Sequence, residues 1–130
     1  MQELFKKLKE LNLQKGKYAV FGSGPMGIRR LREIGDLDVI VTKDYFNELR
    51  NEEGWELKKE EFCDYLEKNG VELYCEWGPG DWDINKLIQE AEIIDDLPFV
   101  KLEEVLKWKK LKGRDKDAKD IELIENYLKN

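Results

Sequence analysis

The stretch Tyr18–Thr42, YAVFGSGPMGIRRLREIGDLDVIVT, decides how the chain folds. A short apolar run, Tyr18 to Phe21, ends in the turn Gly22-Ser23-Gly24-Pro25. A helix's worth of residues follows, and then a second apolar run that carries two acids, Asp36-Leu37-Asp38-Val39-Ile40-Val41. A strand alternates its side chains with period 2, which sets Asp36 and Asp38 on the same side. Carboxylates crowded on one strand face repel each other, and a divalent cation with hard oxygen ligands is the usual reason to keep them there.

Composition sets the limits around that stretch. At 130 residues the chain reads as one domain with enough length for a core. Its 41% hydrophobic and 40% charged residues describe a globular protein with a heavily ionised surface. No apolar run approaches the ~20 residues of a membrane span. The N-terminus, Met1-Gln2-Glu3-Leu4-Phe5-Lys6-Lys7, has the pattern of an amphipathic helix rather than a signal peptide, so the expected location is the cytoplasm. Cys63 and Cys75 belong to no CxxC pair and read as buried reduced thiols, with a disulfide left open. The chain has no histidine, which excludes histidine triads, histidine bases and most zinc chemistry. Catalysis must then run on carboxylates, lysines, hydroxyls or a hard metal. A net charge of −6 argues against a general nucleic-acid coat protein.

The other segments alternate between helix and strand without an internal repeat or linker, an α/β or α+β pattern. Leu4, Phe5, Leu8 and Leu11 predict a helix over residues 2–12, and Ile28, Leu31 and Ile34 a short one closed by Gly35. Residues 43–49 give a further helix, and Trp55-Glu56-Leu57 a short strand. Phe62, Tyr65 and Leu66 fit a helix within 60–68, stopped by Asn69-Gly70. Val71 to Trp77 alternates apolar residues with acids and reads as a strand. A helix over 84–91, a short strand at Ile93-Ile94, a bridge at Phe99-Val100 and two C-terminal helices, 102–110 and 115–128, complete the chain. Seven bases fall between Lys107 and Lys119, opposed only by Asp115 and Asp117. That run suits an anion site and equally a solvated corner between helices.

Phe21-Gly22-Ser23, a helix, and then Asp36-Leu37-Asp38-Val39 resembles the nucleotidyltransferase superfamily of the DNA polymerase beta type. In that superfamily a Gly-Ser or Gly-Gly turn precedes a strand bearing Asp-x-Asp. The resemblance implies a mixed sheet flanked by helices, with C-terminal helices, in which paired aspartates and a third carboxylate hold two magnesium ions. It places Gly22 and Ser23 on the phosphates of a nucleoside triphosphate. The third acid is sought on the strand 71–77, where Glu72 within Val71-Glu72-Leu73 is the first choice and Glu76 the second. A reading of both as outward acids stands about level. The segment from Gly113 to Ile121 resembles the Gly-Arg-x-Lys-Asp-x-x-Asp-hydrophobic segment of several small relatives. By that resemblance Arg114 or Lys116 contacts phosphate, while Asp117 and Asp120 cap the helix and orient those bases.

The expected activity is magnesium-dependent transfer of a nucleotidyl group from a nucleoside triphosphate to an acceptor hydroxyl, with Asp36, Asp38 and Glu72 as metal ligands. The acceptor is open: a small molecule, a protein or an RNA end. A catalytically silent nucleotide- or partner-binding module is the alternative. A dinucleotide-binding oxidoreductase ranks lower: Gly22 to Gly27 fits G-x-G-x-x-G and Asp44 stands near the ribose-acid position, but Pro25 removes an N–H and the second strand opens with acids. Among Arg29, Arg30 and Arg32, one reaching a triphosphate is a secondary expectation. Trp55, Trp77, Trp82 and Trp108 read as packing, with base stacking by Trp77 or Trp82 a minor one.

Overall fold

The computed structural model describes residues 2–130; Met1, the first residue of the expected amphipathic pattern, lies outside them. Seven strands form one mixed sheet. They are β1 (Tyr18–Val20), β2 (Leu37–Val41), β3 (Glu56–Lys58), β4 (Tyr65–Lys68), β5 (Val71–Tyr74), β6 (Glu92–Ile94) and β7 (Leu97–Phe99). Their order across the sheet is β3-β4-β5-β2-β1-β7-β6. The helices are α1 (Gln2–Glu10), α2 (Gly24–Ile28), α3 (Lys43–Arg50), α4 (Ile84–Gln89), α5 (Leu102–Lys112) and α6 (Ala118–Lys129). The expected class, a mixed sheet between helices with two helices at the C-terminal end, is the architecture found.

Period 2 along the central strands divides the apolar residues between two layers. Tyr18, Val20, Leu37, Val39 and Val41 face a core shared with Phe5 and Leu8 of α1 and Tyr45, Phe46 and Leu49 of α3. Ala19 and Ile40 face the opposite core, with Phe21, Leu87 and Ile88 of α4, Val105 and Trp108 of α5, and Ile124 of α6. Asp38 alternates with Leu37 and Val39 and so lies on the α5–α6 side of the sheet.

Several local expectations change. Residues 60–68 contain no helix; β4 pairs antiparallel with β5, and Asn69-Gly70 is their turn, with φ of 53° and 83°. Two adjacent residues at positive φ are what a tight primed hairpin turn requires. The helix after the glycine turn has only five residues, because Arg30 at φ 61° leaves the helical region. Leu31 and Ile34 are therefore packed by tertiary contact. Gly35 adopts no positive φ and closes no helix. β5 stops at Tyr74 rather than Trp77, and β7 extends the expected bridge back to Leu97. The last helix begins at Ala118, after a 3-10 turn over Asp115–Asp117. β1 and β2 run antiparallel, so this stretch lacks the parallel βαβ unit on which the dinucleotide fingerprint depends. Asp44 stands in the first turn of α3.

Candidate metal and anion site

The site is assembled from three positions that the sheet fixes. Asp38 is on β2, Asp36 lies in the bend that leads into it, and Glu72 is on β5. β2 and β5 pair in parallel with Asp38 opposite Glu72, which brings the acid from the distant segment to the same face. One carboxylate oxygen from each of Asp36, Asp38 and Glu72 lies within 4.8 Å of the others. Glu72 is therefore the acid that joins the aspartates. Glu76, the second choice, lies beyond the end of β5 on the wall of a neighbouring cavity.

The electrostatics follow from that crowding. Burial, Asp36 and Glu72 together push the Asp38 carboxyl up to about 7, and a hydrogen bond with Glu72 contributes. The Tyr74 hydroxyl donates to Glu72 Oε1 at 2.7 Å, and burial together with that bond pushes the phenol up from its ordinary value. Charged oxygens this close, one of them holding its proton to neutral pH, fit a hard divalent cation, which would stabilise the ionised form of all three.

The glycine turn faces these acids. Gly22 has φ +60°, and a Cβ there would stand 2.9 Å from Asp38 Oδ2, so the backbone passes against the carboxylate only because no side chain intervenes. Ser23 makes no side-chain capping bond to α2. It lines a cleft of about 310 Å³ together with Asp38, Arg32, Lys112, Arg114 and Lys116.

The base of that cleft is a charge network built by the turn between α5 and α6. Gly113, left-handed at φ 59°, ends α5 and turns the chain. Arg114 donates to Asp117 through Nε at 2.7 Å and through a terminal nitrogen at 3.0 Å. Lys109, only 2% exposed, lies 3.0 Å from Asp120 and 3.7 Å from Asp117. Arg32 reaches Asp120 at 2.6 Å from the loop after α2. Of the expected pairings the structure has Asp117 with Arg114; Asp120 holds Lys109 and Arg32 instead, and the Asp117 side chain accepts no capping hydrogen bond from α6. Hydrogen bonding from Arg114 holds the Asp117 carboxyl down to about 2. Burial, and after it the nearby Arg114, push the Lys112 ammonium down to about 8.

Of the three arginines after the glycine turn, only Arg32 faces the cleft. Arg29 donates to the Pro25 carbonyl at 2.8 Å and to Glu92 at 3.2 Å, and Arg30 lines a separate cavity beside α1. Lys109 and Lys112 were not singled out by the sequence as members of a site, and Arg32 was named only as one of three arginines, one of them expected to reach a triphosphate. The run of bases in 107–119 contained both lysines, but nothing in it distinguishes the buried Lys109 from the exposed Lys110. Cys63 and Cys75 are free and half-buried. Among the described residues no helix is long and apolar enough to cross a membrane. Comparison of the chain with protein families, with curated proteins and with solved structures finds no match.

Proposed function

We propose that the protein moves a nucleotidyl group from a nucleoside triphosphate to an acceptor hydroxyl, with magnesium at Asp36, Asp38 and Glu72. The observation that carries this reading is the position of Asp38, which belongs both to the carboxylate triad and to the wall of the cationic cleft. A triphosphate needs cations along its β and γ phosphates and a metal site at the phosphorus that reacts. When bound, magnesium supplies Lewis acidity toward the phosphoryl oxygens and lowers the pKa of the attacking hydroxyl. Arg114, Lys112, Lys116 and Arg32 neutralise the leaving pyrophosphate, and Ser23 donates a hydroxyl hydrogen bond to it. In the reaction the acceptor oxygen forms a bond to the α-phosphorus while the bond to the bridging oxygen of the β-phosphate breaks. Glu72 takes the acceptor's proton, and its carboxylate is held ready by the Tyr74 hydroxyl.

The test is release of pyrophosphate from labelled nucleoside triphosphates with magnesium, comparing the wild type with Asp36→Asn. Loss of a ligand from the triad should lower turnover by at least about 100-fold. Equal turnover in the two proteins would overturn the assignment of the triad. Magnesium-dependent nucleotide binding without any turnover would point to the silent binding module.

A further inference from the structure

A second cavity of about 640 Å³ adjoins the cationic cleft, with Asp38 in the walls of both. Its walls are Phe62, Cys63, Tyr74, Trp77, Pro79 and Trp108, and Asp38 and Trp108 belong to both spaces. The aromatic walls are braced from behind. Trp77 stacks on the fully buried Phe21 at 4.6 Å with an interplanar angle of 11°, Trp108 tilts against it at 5.1 Å, and Tyr74 meets it edge-on at 5.6 Å. The Trp108 indole donates to the Gly78 carbonyl at 3.0 Å, which ties α5 to the Gly78–Trp82 loop, and the Trp82 indole donates to the Pro79 carbonyl at 2.8 Å within that loop. The Trp77 indole N–H, by contrast, is buried with no partner, the single such side-chain atom among the described residues. Phe62 stands at the rim, 96% exposed, an aromatic ring that packs on nothing in the folded chain.

We propose that this cavity seats the base of the nucleoside triphosphate, and that it favours purines over pyrimidines because it recognises the base by stacking. The proposal rests on the reading of the cleft as the triphosphate site. Two spaces of opposite character meet at Asp38, so the molecule that fills both is polyanionic at one end and planar and apolar at the other. Its reacting atom falls at the junction. A nucleoside triphosphate has that form, with the ribose spanning the shared Asp38 and Trp108. The walls are largely rings and hydrocarbon, with Asp38, Cys63, Glu76 and the Tyr74 hydroxyl among their polar groups. Such walls select by ring area rather than by hydrogen-bond pattern. Phe62 closes on the outer face of the base.

The experiment follows the intrinsic fluorescence of the full chain during titration, in magnesium, with ATP, GTP, UTP and inorganic tripolyphosphate. It compares the wild type with Phe62→Ala, a change at an exposed position that leaves the core intact. ATP and GTP should bind with similar affinity, and roughly tenfold or more tighter than UTP or tripolyphosphate, the scale of one stacking contact. Phe62→Ala should weaken ATP several-fold and leave tripolyphosphate unchanged. Tripolyphosphate binding as tightly as ATP in both proteins would overturn the base site while leaving the phosphate cleft standing. UTP binding as tightly as ATP would overturn the preference for purines. Failure of every one of these ligands to bind would overturn the nucleotide reading itself, and the base site with it.

Discussion

Asp38 carries an electrostatic load that its neighbours on β2 do not. A carboxyl held at about 7 in the folded protein, against an ordinary value near 4, resists ionisation in the native state. The sign of the pH effect follows: stability is fullest below the unfolded pKa and is lost as pH rises through about 7, where the native carboxyl must ionise beside Asp36 and Glu72. Asp38→Asn removes that loss. In urea unfolding without metal the variant should gain on the wild type between about pH 4 and 7 and be more stable at pH 8 by roughly 2–4 kcal/mol. Magnesium should raise the melting temperature of the wild type at pH 8 and leave that of Asp38→Asn unmoved. A variant no more stable than the wild type at pH 8 would show that the acids do not strain the fold. Stability given up at a site that needs like charges together is a familiar cost of function.

The corner between α5 and α6 has the opposite balance, because each buried charge there has a partner. Asp117 is 1% exposed and holds both Arg114 and Lys109. Asp117→Asn leaves a buried ammonium with Asp120 as its one carboxylate, and should cost about 3 kcal/mol in urea unfolding at neutral pH. A depressed carboxyl stabilises above its unfolded pKa and loses that contribution as pH falls through its folded one. The difference between wild type and variant should therefore shrink between about pH 4 and 2. The same two elements show what the sequence did and did not make legible. The turn, Asp36 and Asp38 could be read because period 2 and glycine chemistry are local, whereas Glu72 was chosen over Glu76 only by resemblance to the family's apolar triplet. Arg32, Lys109 and Lys112 join the site through Asp117, Asp120 and burial, which are relations between elements. β4 was missed for a different reason: Tyr65 to Lys68 is short and half-buried, and Asn69-Gly70 serves equally as a helix stop and as the hairpin turn it proves to be.

Across the whole molecule the sheet separates two cores that do different work. The layer of α1 and α3 holds the fold together, whereas the layer of α4, α5 and α6 also carries the cleft. Leu8→Ala and Ile124→Ala remove comparable fully buried side chains from the two layers, and each should cost roughly 2–5 kcal/mol. Their effects on ligand binding should differ. At a temperature where both variants remain folded, tripolyphosphate should bind Leu8→Ala as it does the wild type and bind Ile124→Ala more weakly, since α6 positions Asp120 and is entered through Asp117. Equal binding by both would mean that the cleft does not depend on how α6 is seated. The alternation of helix and strand announced the architecture in the sequence, but not which layer would hold the charged corner. That depends on where α5 and α6 cross the sheet.

The parallel alignment of β2 with β5 has a consequence for how this chain can vary. Residues in the connections can be gained or lost without disturbing the acids, because the loops take up the change. A shift of one residue within either strand cannot be absorbed in that way: in β5 it would turn Glu72, and in β2 Asp38, to the layer of α1 and α3 and bury the charge in that apolar core. The meeting of the acids is thus recorded in a backbone alignment, and lineages that lengthen their loops freely would still have to keep these short strands at constant spacing.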